Sequence, residues 1–194
     1  MNNSFIQDGK GRGFLASVDN NNRLVTSAVN QTTFEEASAK GLGFNLNTEF
    51  VSITIGTQTP LFYFKNNEPY DVLISAWFIG LGVAGGAPTE NALLKVWANP
   101  SAVSGGVAIT PQNRRIGEGR SFAFDAKKQD SGTPLLATPP SSPLLFQTQT
   151  ASTRVFGEVD LTIPRGQSLL VTITANGAQT INAYTGFSGY VNVA

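Results

Sequence analysis

The phrase RVFGEVDLTI alternates without a break. Val155, Gly157, Val159, Leu161 and Ile163 fall on one side, and Phe156, Glu158, Asp160 and Thr162 on the other. A period of two is the spacing of a β-strand, whose successive side chains point to opposite faces. The same period runs through FVSITIG, with Val51, Ile53 and Ile55 against Ser52 and Thr54, and through the closing FSGYVNVA. Pro164-Arg165-Gly166 reads as a turn into a further strand, SLLVTITANG. DVLISAWFIGL is apolar on both faces, with Val72, Ile74 and Phe78 against Leu73, Trp77 and Ile79. Such a strand is expected to be covered twice or to carry a subunit interface, which makes Trp77 and Phe78 candidate oligomer contacts. With LFYFK, ALLKVWA, SFAFDA and PLLFQT there are about eight to ten short strands separated by turn signals, the pattern of an antiparallel sandwich or barrel.

A different kind of sequence precedes this body. Residues 1–31 carry no period, and Asn20-Asn21-Asn22 reads as a turn between the short extended phrases FLASV and RLVTSAV. In TTFEEASAKG, Thr33 and Glu36 have the spacing of a capping box, Lys40 stands at the negative end of the helix dipole, and Gly41 suits the position after the last turn. The spacing predicts one short helix near 34–40, which must pack on something, because helices under about 12 residues are marginal in water. The chain is therefore divided at Asn47. Residues 1–46 are expected to form an extended N-terminal arm with one short helix. Residues 47–194 are expected to form an all-β domain, a jelly-roll-like antiparallel β-sandwich. Residues 99–120 and 126–143, rich in Gly, Pro and Ser, are expected to be long loops.

Composition narrows the chemistry. There is no cysteine and no histidine, so a disulfide framework, a thiolate metal site and the commonest general base are all excluded. Only 13% of residues are charged and the formal net charge is zero. Nothing in that balance draws nucleic acid or an anionic membrane over long range. The start, MNNSFIQDGKG, lacks the basic-then-apolar order of a signal peptide, and the apolar stretch Val72–Ala84 is too short to span a bilayer. GKGRG lacks the strand and helix that a phosphate-binding loop requires. Glu158 and Asp160 share a strand face about 7 Å apart, but the polar row they belong to continues at Thr162 and reads as a solvated outer face. Asp125 and Asp130 lack the alternating oxygen ligands of a calcium loop. Arg114, Arg115, Arg120, Lys127 and Lys128 form a modest basic stretch, either solvated or facing an acidic protein. No catalytic, cofactor or metal residues are expected, and the chain reads as a non-enzyme.

The phrases DGKGRGFLASVDNNNRLVTSAV, FEEASAKGLGFNLNT and LFYFKNNEPYDVLI resemble tailed-bacteriophage virion structural proteins of the head decoration, or cement, type. Asn99-Pro100, SGG, TPQN and IGEGRSFAFDA in the middle of the chain share that resemblance. It implies no catalytic residues and no cofactor. It implies location on the virion head surface after synthesis in the host cytoplasm, binding to the major capsid protein, and self-association, most simply as a trimer on threefold shell sites. On that reading the arm lies along the shell and anchors through Phe5, Phe14, Leu15, Val18, Arg23, Leu24 and Val25. The alternative is a tail fibre or receptor-binding component that grips host glycan with its loops.

Overall fold

The computed structural model describes residues 17–18, 24–25, 33–53, 56–83, 91–117, 120–149, 155–176 and 181–193. At 17–18, 24–25, 82–83, 91, 146–149, 155–160 and 176 it describes the backbone path alone. The chain divides into two compact units, Met1–Thr32 and Thr33–Ala194. In the first, β1 (Ser17–Val18) pairs antiparallel with β2 (Leu24–Val25). Of the candidate arm anchors, Val18, Leu24 and Val25 stand in this ladder. Phe5, Phe14, Leu15 and Arg23 lie outside the described residues.

The second unit begins with α1 (Thr33–Ala39), β3 (Gly43–Asn47), β4 (Val51–Ile53), β5 (Thr59–Asn66), β6 (Asp71–Val83) and β7 (Asn91–Ala98). Five short strands follow: β8 (Ser101–Ser104), β9 (Val107–Ala108), β10 (Gln112–Asn113), β11 (Phe124–Lys128) and β12 (Leu136–Thr138). It ends with β13 (Leu145–Gln149), β14 (Val155–Ile163), β15 (Ser168–Asn176) and β16 (Ile181–Asn192). All strand pairings among the described residues are antiparallel. One six-stranded sheet runs β10-β3-β16-β6-β14, with β4 also on β16, and the other runs β13-β7-β15-β5-β11-β9.

The pairing is nested. Outermost, β3 and β4 pair with β16; inside them β5 pairs with β15, then β6 with β14, and innermost β7 with β13. A chain doubled back on itself in this way is one long antiparallel ribbon. Rolled up, it places its first, eighth, third and sixth strands in one sheet and its second, seventh, fourth and fifth in the other. This is the jelly-roll arrangement of two packed sheets. The roll buries the apolar inner faces against each other. Phe44 stacks on Phe64 across the sandwich with ring centroids 6.4 Å apart, and Phe62 meets Phe187 at 5.1 Å. Val72, Ile74, Leu94, Val96, Val171, Ile173, Ile181 and Val191 fill the same core.

The self-contained unit starts earlier than the division at Asn47. In GFNLN, Phe44 and Leu46 are fully buried while Asn45 and Asn47 are exposed, the alternation of a strand with one face on the core. The helix belongs to this unit too. Its seven residues hold because Ala37 is buried, Phe34 packs 6.1 Å from Tyr190, and the Arg114 guanidinium lies 4.4 Å over the Phe34 ring. Glu36 is bonded to Lys40, which lowers its carboxyl pKa through that hydrogen bond and the nearby positive charge. Gly41, at φ 71°, ends the helix in the left-handed conformation, and Leu42 N–H returns to the Ala37 carbonyl at 2.8 Å.

Strand β6 corrects the expected faces. Strict alternation sets Trp77 opposite Ile74, but the register slips at Ser75. Ala76 opposes Ser188 and Ile74 opposes the next residue, Gly189. A bulge of one residue flips every side chain beyond it. Trp77 thus joins Val72, Ile74 and Ile79 in the core, where its Nε1–H donates to Thr185 Oγ1 at 2.6 Å. It is taken up within its own chain and is not open to a partner subunit. Phe78 takes the outer face, half-buried, over Gly186.

The two segments expected as long loops carry several short strands. Strand β11 pairs with β5 and β9 with β11, extending one sheet, while β10 extends the other. Strands β8 and β12 form a separate ladder that brings Leu135, Val103 and Ala137 onto Tyr63, Trp97 and Leu170. Trp97, on the outer face of its sheet, is thereby buried, and its Nε1–H donates to Thr172 Oγ1 at 2.8 Å. Burial raises the Tyr63 phenol above its ordinary pKa of 10.0; a hydrogen bond with Ser168 opposes the shift and the Asp125 charge adds to it. The contribution of a neutral Tyr63 to stability is fully present below pH 10.0 and is lost as pH rises through the elevated folded value. Tyr63→Phe is expected to flatten the alkaline arm of a stability-versus-pH curve while changing little at neutral pH; denaturant melts across that range check it.

Candidate functional site

Among the described residues, a groove of about 410 Å³ lies between β3 and the β9–β10 segment. Asn45, Asn47, Glu49, Thr110, Gln112 and Lys128 form its polar wall, and Val107, Ala108 and Ile109 its apolar part. Alternation in β3 sends Phe44 and Leu46 inward and so turns both asparagines outward. Asn45 Oδ1 accepts from Ser188 Oγ at 2.7 Å, and Asn47 Oδ1 accepts from the Glu49 N–H at 2.9 Å. The amide nitrogens of both have no protein partner among the described residues.

The corner between β3 and β4 is tightly held. Thr48 is fully buried: its N–H donates to the Thr185 carbonyl at 2.9 Å, and its Oγ1 accepts from the Thr185 N–H at 2.9 Å. The same hydroxyl donates to the Glu49 carbonyl at 2.9 Å. Glu49 adopts φ 57°, a left-handed conformation costing a non-glycine residue about 1–2 kcal/mol. Its exposed carboxylate receives Lys128 Nζ at 2.9 Å, so the groove carries one ion pair and no net charge from these two groups. Strain of this kind persists where the surroundings over-determine it. Glu49→Gly removes both the strain and an exposed ion pair worth about 0–1 kcal/mol, and adds the glycine entropy of about 0.5–1 kcal/mol. These offset, so Glu49→Gly is expected to melt close to the wild type. Glu49→Ala keeps the strain, loses the pair, and is expected to melt lower than Glu49→Gly; thermal denaturation of both checks this.

The outer face of the β16 sheet carries aromatic rings. Phe50 is 66% exposed and meets Tyr184 edge-on at 5.0 Å, and Phe78 lies 6.3 Å from Tyr184. Tyr184 lies over Gly80, where a side chain would collide with its ring.

The sequence-predicted candidates fare differently. Glu158 and Asp160 lie in β14, their side chains outside the described residues. The basic stretch is dispersed among partners. Arg114 covers Phe34, Arg120 pairs with the buried Glu68 at 3.1 Å, Lys127 with Asp125 at 3.6 Å, and Lys128 with Glu49. Asp130 Oδ1 caps its own turn by accepting from the Gly132 N–H at 2.8 Å. Among the described residues no group of acidic side chains has the geometry to hold a metal ion, and no helix is long and apolar enough to cross a membrane. Sequence reasoning missed Asn45, Asn47, Glu49, Thr110 and Gln112. The turn-like Asn47-Thr48-Glu49 was their one local signal, and only the pairing of β3 with β10 brings them together.

The chain matches no model of a known protein family, and comparison with curated proteins likewise finds no match.

Proposed function

We propose that this chain is a virion structural protein of the phage head decoration type, a binding module and not an enzyme. In this reading residues 1–32 attach it to the major capsid protein, and the jelly roll is the rigid body held at the head surface. Copies associate, most simply as a trimer, and the oligomer stabilises a shell that other components assemble. The observation that carries the reading is the division of the chain at Thr32. The unit from Thr33 onward supplies a core drawn from both of its sheets. The resemblance of the leader phrases to decoration proteins supports it. So does the weakly charged composition, which lets copies pack closely with little mutual repulsion. Quantifying the protein in purified particles tests the location. Copy number commensurate with shell lattice sites is expected; a few copies per particle, at the tail, would favour the receptor-binding alternative.

A further inference from the structure

We propose that the groove between β3 and the β9–β10 segment binds a neutral carbohydrate, one or two sugar units long. The site is independent of whether the chain stands on the head or the tail. Four features of the lining point to this ligand class.

First, its volume of about 410 Å³ lies in the range of small-ligand pockets, which run from roughly 300 to 1,000 Å³. Second, its free hydrogen-bonding groups are those that read hydroxyls. The side-chain nitrogens of Asn45 and Asn47 are donors with no protein partner among the described residues. Gln112 Nε2 makes only a long 3.4 Å contact to the Thr110 carbonyl. One Glu49 oxygen is occupied by Lys128, and the other has no partner among the described residues. A sugar hydroxyl both donates and accepts, so amides and a carboxylate side by side satisfy it in both senses. Third, the charge is already balanced. An anionic ligand would compete with Glu49 for Lys128 and a cationic one with Lys128 for Glu49, so the pair selects against both. Fourth, the apolar side at Val107, Ala108 and Ile109 offers a C–H surface to one face of a sugar ring. The exposed Phe50, next in the chain after Glu49, offers a ring for a second unit to stack on.

The left-handed Glu49 makes the arrangement pre-organised. The Asn47 side chain and the Thr48 hydroxyl hold the corner with the carboxylate already turned to the groove, so little ordering remains to be done on binding.

The test is ¹⁵N-edited NMR on the full chain, titrated with neutral oligosaccharides built from glucose, galactose, mannose, rhamnose and N-acetylglucosamine. At least one is expected to produce saturable shifts in the side-chain amides of Asn45, Asn47 and Gln112, insensitive to added salt. Glu49→Gln and Asn47→Ala are each expected to weaken that binding ~10-fold, the effect of losing one hydrogen bond. Thermal melts of both variants confirm that the fold is retained. The proposal is overturned if no neutral sugar gives saturable shifts, if the shifts map elsewhere, or if folded variants bind unchanged. Binding confined to charged glycans, such as heparin or chitosan fragments, also overturns it.

Discussion

Gly186→Ala is expected to be among the most damaging single substitutions in the jelly roll, although it adds one methyl group. Gly186 lies in β16 between β3 and β6, opposite Asn47 on one side and Phe78 on the other. A Cβ there would stand 2.2 Å from Phe78 Cζ and 2.3 Å from the Leu46 carbonyl oxygen. The phenyl ring can swing away. The carbonyl belongs to the ladder that joins β3 to the sandwich, so relief requires β3 to separate from β16. Overpacking typically costs about 1–3 kcal/mol, and each ladder bond lost adds about 0.5–1.5 kcal/mol. A total of about 3 kcal/mol lowers the melting temperature of a domain this size by about 6–12 °C. Gly80→Ala is the control. The nearest atoms to its Cβ, from 2.2 Å, belong to the end of the Tyr184 side chain and not to backbone. It is expected to cost far less. Equal melting of the two variants in calorimetry would contradict the β3–β16 pairing described here.

Local pattern was enough to find the strands and not enough to join them. Val155–Ile163 forms a strand where its alternation announces one, although its register against β6 shifts between Glu158 and Leu161, and the capping residues around Phe34 mark the short helix. The nested pairing depends on contacts such as Thr48 to Thr185, 137 residues apart, which leave no local mark. Trp77 was assigned to the wrong face because period-two reading assumes an unbroken pleat, and a bulge at Ser75 is invisible to it. The leader was drawn too long because Gly43–Asn47 is a five-residue strand with only two apolar side chains facing the core. The basic residues looked like a cluster because they are close in sequence. In the fold Arg114, Arg120, Lys127 and Lys128 turn to four different partners. The groove escaped notice for a related reason: Asn, Gln and Thr are the ordinary surface residues of a chain this poor in charge, and only pairing turns them into a site.

Removing residues 1–32 is expected to separate folding from attachment. The core of the second unit is drawn from both of its own sheets, so a chain beginning at Thr33 is expected to remain β-rich and to melt cooperatively. A cut nearer Asn45 would instead delete α1 and break β3, whose Phe44 lies against Phe64, Phe122 and Phe124. Attachment is another matter. Each apolar anchor fully buried on a partner contributes roughly 1.5–3 kcal/mol, so losing even two costs about 3–6 kcal/mol, or more than ~100-fold in affinity. Ordering the segment offsets much of what its anchors contribute, which makes a single copy a weak binder. In an oligomer the later contacts become intramolecular, so the loss on truncation multiplies with the number of linked copies. Attachment that rests on burial should survive moderate salt, whereas attachment through charge would be screened.

The direct test of shell attachment through the N-terminal segment is co-sedimentation with undecorated phage heads. The full chain and the chain beginning at Thr33 are compared over a range of concentrations, with circular dichroism confirming that both are folded. The full chain is expected to pellet with heads to a saturating stoichiometry set by the shell lattice and to raise the temperature at which heads rupture. The shortened chain is expected to stay in the supernatant and leave rupture unchanged. Equal saturation by the two chains, or failure of the full chain to bind heads at all, would contradict the account.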